Sequence, residues 1–322
     1  MTSARRVLLA ALAVAGCAAV SVASAAYPQG PVKMVVPLSP GGATDSAARI
    51  VAKALADSLG QPVVVENKPG ADGSIAALSV INAKADGQTL FFASTTAICA
   101  VPTLRKNPPY DPRTALTPVS MVGTLELVLF AHPSVEGKTL ADVLRYVKAN
   151  PGKVDFASSN STALLASVQL QRGAGLKSVN IPYKGDAPAL VDLVAGRVQL
   201  MFGSPGAPMQ FIQQGRLRAV AALSPSRIAT LPDVPTMKEA GVEGMSIIPW
   251  LGVLGPAGMP ADVTGRLSAE MAKILAKPDI QEQLVQFGVK PQAMDSAALG
   301  RFIREQIGAW GDAVRDAGLQ QE

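Results

Sequence analysis

The sequence predicts an α/β fold, on two observations. From Val32 onward, short apolar runs alternate with Gly/Pro/Ser-rich turns and segments of helical period, the order expected of parallel strands with crossover helices. The chain beyond its N-terminal segment is also long enough for two lobes of ordinary domain size, about 100–150 residues each.

In chain order, the expected strands are 32–38, 62–66, 89–93, 127–131, 154–157, 179–182, 198–202 and 218–223. Each is a short run rich in Val, Ile, Leu or Phe and ends in turn-forming residues. The expected helices are 44–59, 74–83, 140–149, 162–172, 187–194 and 208–214, followed by longer helical patterns at 261–276, 278–287 and 297–317. Gly288 and Pro291 are read as turn residues between the last two. No internal repeat or low-complexity segment interrupts the series.

The N-terminus has the layout of a secretory signal: Arg5 and Arg6 precede a charge-free apolar run over residues 7–22, and Ala23-Ser24-Ala25 supplies small residues where signal peptidase cuts. Residues 1–25 are therefore assigned to the signal and the mature chain is expected to begin at Ala26. Val14-Ala15-Gly16-Cys17 also fits a lipobox, with Cys17 as the acylated residue. Cleavage after Ala25 is preferred because the residues following Cys17 stay apolar, unlike a polar tether. A permanent membrane span is disfavoured, since the run falls short of about 20 residues.

Removal of residues 1–25 leaves 297 residues, with 27 basic against 24 acidic side chains. No block of five Lys/Arg occurs, so a nucleic-acid footprint is missing. With Cys17 removed, Cys99 stands alone and is read as a small buried apolar residue. One histidine, His132, and one remaining cysteine cannot assemble the usual zinc sites, and no metal or cofactor is expected. His132 sits where an apolar run meets Pro133, which reads as a strand leaving its sheet. Neither a G-x-S-x-G elbow, nor a Walker loop, nor a G-x-G-x-x-G fingerprint occurs, and the chain is read as a non-enzyme.

Two loops share one chemistry. After the first strand, Ser39, Gly41, Gly42, Ala43, Thr44 and Asp45 lead into a helix, whose unpaired amides and positive dipole end suit an anion. After 154–157, Ser158, Ser159, Asn160, Ser161 and Thr162 make the same strand-to-helix turn with five hydroxyl or amide side chains. Ordinary capping and turn chemistry explains either loop taken singly. A third candidate holds Lys184, Gly185 and Asp186, and a fourth is Ala93-Ser94-Thr95-Thr96, of which Ser94 and Thr95 are counted as site residues. The fourth follows the third strand, and open parallel sheets bind ligands at the carboxyl ends of their strands; Ser204 is also counted as a site residue.

The mature chain resembles the Bug-type substrate-binding receptors of tripartite tricarboxylate transporters. The resemblance rests on Val35-Val36-Pro37, Pro40-Gly41-Gly42, Asp45 and Ala48-Arg49, then on Val65-Glu66-Asn67-Lys68-Pro69-Gly70-Ala71 with Gly73. Asp86-Gly87, Tyr110-Asp111-Pro112, Ala149-Asn150-Pro151-Gly152-Lys153, Pro182-Tyr183-Lys184-Gly185, Leu231-Pro232-Asp233-Val234-Pro235-Thr236 and Trp250 follow in the family's order. It implies a type II periplasmic-binding-protein-like fold: two doubly wound lobes joined by crossover strands, residues 26–124 plus 225–322 forming one and 125–224 the other. It further implies a ligand cleft between the lobes, a small organic carboxylate gripped by the two loops, membrane permease subunits as partners and a monomeric, periplasmic receptor. A sensor module that presents its ligand to a membrane kinase is the alternative. The second loop departs from the family pattern in having no glycine, and Leu164-Leu165 stands where the family has a His-Leu pair, so Leu164 is expected to offer carbon surface to the ligand.

Overall fold

The computed structural model describes residues 27–245, 247 and 249–319. The expected cleavage after Ala25, the mature start at Ala26 and Cys17 lie outside the described residues.

The strands fall into two sheets. The first contains β1 (Val32–Val36), β2 (Val63–Asn67), β3 (Thr89–Ser94), β4 (Leu116–Leu125), β10 (Trp250–Pro256) and β11 (Val289–Met294), in the order β11-β4-β10-β3-β1-β2. The second contains β5 (Leu127–Ala131), β6 (Phe156–Ser158), β7 (Asn180–Pro182), β8 (Leu200–Gly203) and β9 (Arg218–Leu223), in the order β7-β6-β8-β5-β9.

Both sheets are mixed, which corrects the expectation of parallel strands throughout. β1 pairs in parallel with β2 and β3, whereas β10 runs antiparallel to β3 and β4, and β11 antiparallel to β4. In the second sheet, β6 is parallel to β7 and β8, while β5 is antiparallel to β8 and β9. The strands entered at the two crossings between sheets, β5 and β10, run antiparallel to their neighbours. β4 ends at Leu125 and β5 begins at Leu127, so one extended segment serves both sheets. The crossing is pinned by Leu125 N–H to Pro249 O and Glu126 N–H to Gly288 O, each 2.7 Å. The chain returns to the first sheet between Leu223 and Trp250.

Helices cover the sheet faces by burying one stripe each. α1 (Ala43–Leu59) buries Ala47, Ala48, Val51, Ala52, Leu55 and Leu59, a spacing that keeps these residues on one side, and stops at Gly60 in the left-handed region. α2 (Ser74–Ile81) and the long C-terminal helix (Ser296–Asp316) pack on the opposite face, where Leu299, Ile303, Trp310 and Val314 join Trp250 in one apolar cluster. Trp250 is fully buried and meets Phe302 edge-on with ring centroids 5.6 Å apart. In the second sheet, the helix Leu140–Ala149 starts in a reciprocal capping box of Thr139 and Asp142, and Ser161–Ala174 starts at Asn160. Leu165, on Ser161–Ala174, packs into the apolar cluster of the first sheet and so forms a hydrophobic contact across the two halves.

Candidate functional site

The loops singled out by sequence converge at the carboxyl ends of β1, β3, β6, β7 and β8, where the two sheets face each other. The β1 loop turns through Gly41, whose φ of 88° disfavours residues with a side chain. Gly42 is the N-cap of α1 and supplies no side-chain cap, which leaves the first-turn amides available beside Thr44. In the second half, the opposite holds: Asn160 Oδ1 accepts from Thr162 N–H at 2.9 Å and Ala163 N–H at 3.1 Å, closing the start of its own helix. The two loops are therefore not equivalent, and the anion-attracting helix start belongs to the first.

Asp45 faces inward and is only 3% exposed. Its Oδ2 accepts from Gly41 N–H and Arg49 Nε, both at 3.0 Å, and its Oδ1 accepts from Asn67 Nδ2 at 2.9 Å. Burial alone would raise its pKa, but the bonds from Arg49, Gly41 and Asn67 together outweigh it and hold the carboxyl below the usual range. Asp45 braces the loop through these bonds and is not among the residues lining the cavity between the halves.

The loops of the two halves touch. Ser39 Oγ donates to Lys184 O at 2.7 Å, and the Ser39 amide reaches the same oxygen at 3.3 Å. Lys184 contributes this carbonyl while its side chain is exposed. Gly185 stands at this approach with φ 135°, a backbone conformation that residues with a side chain rarely adopt. Deeper in, the Thr96 and Thr162 hydroxyls meet at 3.1 Å, and Thr96 Oγ1 lies 3.4 Å from Asn160 Oδ1. The cleft is thus closed.

Between the halves remains a cavity of about 30 Å³, room for one or two waters. Its polar wall is Thr44, Ser94, Thr95 and Thr96 from one side and Ser159, Asn160, Thr162, Asp186 and Ser204 from the other. Its carbon wall is Leu38, Leu125, Leu127, Phe202 and Pro249. A second cavity of about 20 Å³ adjoins Gly41, Gly42, Ala43, Met201 and Phe287 and shares Asp186 and Ser204 with the first.

Several expected contacts are occupied elsewhere. The Thr95 hydroxyl donates to Trp250 O at 3.1 Å and accepts from Trp250 N–H at 2.6 Å, tying β3 to β10. Ser158 Oγ donates to Asn180 Oδ1, while Ser161 is buried in the helix start without lining either cavity. Leu164 lines neither cavity, so the carbon surface comes from Leu38, Leu125, Leu127 and Phe202 instead. Those residues carried no distinguishing sequence signal, since each looks like ordinary core at the end of a strand. Thr96 lay within the quoted β3 loop.

Asp186 is the first residue of the helix Asp186–Val194. Burial pushes its carboxyl pKa up, opposed by bonds from the Ser159 hydroxyl and the Ser204 amide. His132 lies away from the cleft, bonded to Ser134 Oγ at 2.8 Å. Cys99 is fully buried and its thiol pKa is raised by that burial. Among the described residues, no group of three or more His, Cys, Asp or Glu could hold a metal ion, and no helix is long and apolar enough to cross a membrane.

Residues 47–319 match the sequence profile described as tripartite tricarboxylate transporter family receptor. Protein BugT of Bordetella pertussis is 38% identical over 314 residues, covering 96% of this chain and 95% of that protein. The structure of the periplasmic binding protein BugD superposes with a TM-score of 0.87 at 34% identity, over 92% of this chain and 100% of that one. An R. palustris protein solved with adipate gives a TM-score of 0.87 at 29% identity, over 91% and 98% of the two chains. MatC from Rhodopseudomonas palustris, with bound malate, gives 0.82 at 29% identity, over 89% and 100%. The two-lobed α/β arrangement with mixed sheets is the one these proteins share.

Proposed function

The chain belongs to the tripartite tricarboxylate transporter family of receptors, and from that premise we propose that it captures a small organic carboxylate outside the cytoplasmic membrane and delivers it to a membrane permease. The observation that carries this reading is the asymmetry of the cleft. On one side stands the start of α1, with free first-turn amides, a positive dipole end and the Thr44 hydroxyl. On the other stand hydroxyls and amides from two further strand ends. Such a cleft can hold a carboxylate through neutral donors in a site that closure keeps dry.

The proposed binding residues are Gly42, Ala43, Thr44, Ser94 and Thr96 on the first lobe, residues 26–124 with 225–322. On the second lobe, residues 125–224, they are Ser159, Asn160, Thr162 and Ser204. A four- to six-carbon acid exceeds the space in the closed cleft, so loading requires the lobes to part. The extended crossing at Leu125–Leu127 and the return over 224–249 are the segments about which they would swing. Malate and adipate, found in two similar proteins, support a short acid with a second polar end.

A thermal-shift screen over mono-, di- and tricarboxylates tests the class. A ligand that binds only the folded chain adds about 2.7 kcal/mol at a hundred times its Kd, so its acid should raise the midpoint by several degrees. A flat response to every carboxylate at millimolar concentration would remove the reading.

A further inference from the structure

The cleft has a feature that carboxylate capture leaves unused. Asp186 is the one charged side chain among the described residues lining the closed cavity, and it borders both cavities. It reaches across the gap between the lobes: a Cβ built on Gly42 would lie 3.6 Å from Asp186 Cβ. Its partners are neutral, the Ser159 hydroxyl and the Ser204 amide. The nearby cations are engaged or turned away. Arg49 is bonded to Asp45 and Asn67, and the Lys184 side chain is exposed to solvent. Independently, Ser94 Oγ in the same wall is buried and has no hydrogen-bond partner, so the cavity contains both a carboxyl group without a cationic partner and an unsatisfied hydroxyl.

We infer that the ligand carries a protonated amine as well as its carboxylate, and that Asp186 is the residue that selects it. This rests on the carboxylate-receptor reading above and assigns the ligand's second polar end. A carboxylate facing an enclosed cavity without a cation is costly, and its cost is removed when the incoming molecule supplies the positive charge. A zwitterion does this while its own carboxylate meets the start of α1. A dicarboxylate instead brings a second anion into an enclosed space beside Asp186, where like charges repel more strongly than in bulk water. The direction in which burial displaces the Asp186 carboxyl agrees with a group that lacks a counter-charge until the ligand arrives.

The test is calorimetric titration of the mature chain with α- and ω-amino acids of three to six carbons, each against the dicarboxylate of equal chain length. At least one amino acid should bind about tenfold or more tightly than its matched dicarboxylate, the size of a charge-assisted hydrogen bond gained against a like-charge contact. Asp186→Asn, with folding checked by urea unfolding, should weaken that amino acid about tenfold and leave or improve dicarboxylate binding. Asp186→Glu should keep the order of preference. Tight dicarboxylate binding without amino acid binding, or an amino acid affinity indifferent to Asp186→Asn, overturns the inference and leaves the receptor standing. Absence of binding by every carboxylate, with or without an amine, overturns both.

Discussion

Replacing Asp45 with alanine should loosen the β1 loop, and the loss can be worked from its three bonds. Arg49 is roughly half exposed and regains water when its partner goes, so its share is about 0–1 kcal/mol. The Gly41 amide and the Asn67 side chain lose an ionised acceptor at 3.0 and 2.9 Å. Asn67 Nδ2 also reaches Leu38 O at 3.0 Å, so it keeps one bond. Together these losses amount to about 2–3 kcal/mol, or roughly 3–5 °C in Tm for a chain of this size. Urea unfolding at constant m reads it directly. Acid adds a second signature. Because the folded Asp45 carboxyl lies below its usual range, its stabilisation is complete above about pH 4 and fades as pH falls through the lower folded value. The wild type should therefore lose stability below pH 4 more steeply than Asp45→Ala. A stability change under about 0.5 kcal/mol, with parallel acid limbs, would refute the bracing role.

Thr44→Ala should weaken carboxylate affinity about ten- to a hundredfold without changing the unfolding midpoint, since its hydroxyl faces the cavity at the start of α1. Equal affinity would reduce Thr44 to a helix-start residue. Thr96→Val removes the hydroxyl contact with Thr162 across the cleft, a bond of about 1 kcal/mol, and should shift the open-closed balance about fivefold towards open. An unchanged scattering radius in both apo and ligand-saturated samples would refute it. Cys99 should resist thiol reagents in the native protein and react on unfolding, because it is fully buried and its thiolate is disfavoured. Native labelling at the unfolded rate would contradict its place in the core.

The α/β class and the convergence of the strand-end loops were legible because period and turn chemistry are local. β1, β2, β3, β5 and β9 lie within a residue or two of where their apolar runs place them. The strands that escaped, β4, β10 and β11, all lie in the first sheet, whereas β5, the strand that makes the second sheet mixed, follows its apolar run. β4 contains Pro118 and Gly123, and β10 contains Gly252 and Gly255, all of which read as turn signals in isolation. Pro291, taken for a turn, instead lies in β11, an edge strand that pairs on one side only, where a missing amide costs little. At the site, hydroxyl-rich loops were visible, but which hydroxyls are spent was not. The Thr95 bonds to Trp250, the Asn160 cap and the inward turn of Asp45 depend on partners far along the chain or on a single rotamer. The carbon wall of the cleft hid among core residues for the same reason.

A carboxylate proposed to sit between the lobes against the start of α1 is probed most directly by calorimetric titration of Gly42→Val beside the wild type. A Cβ at Gly42 fits in ordinary contact with Asp186, 3.6 Å away, but the γ-methyls of valine must enter the gap between the lobes. Saturable one-to-one binding of a small carboxylate to the wild type is expected, and its loss in a Gly42→Val variant that unfolds at the wild-type midpoint. Full affinity in that folded variant would contradict it.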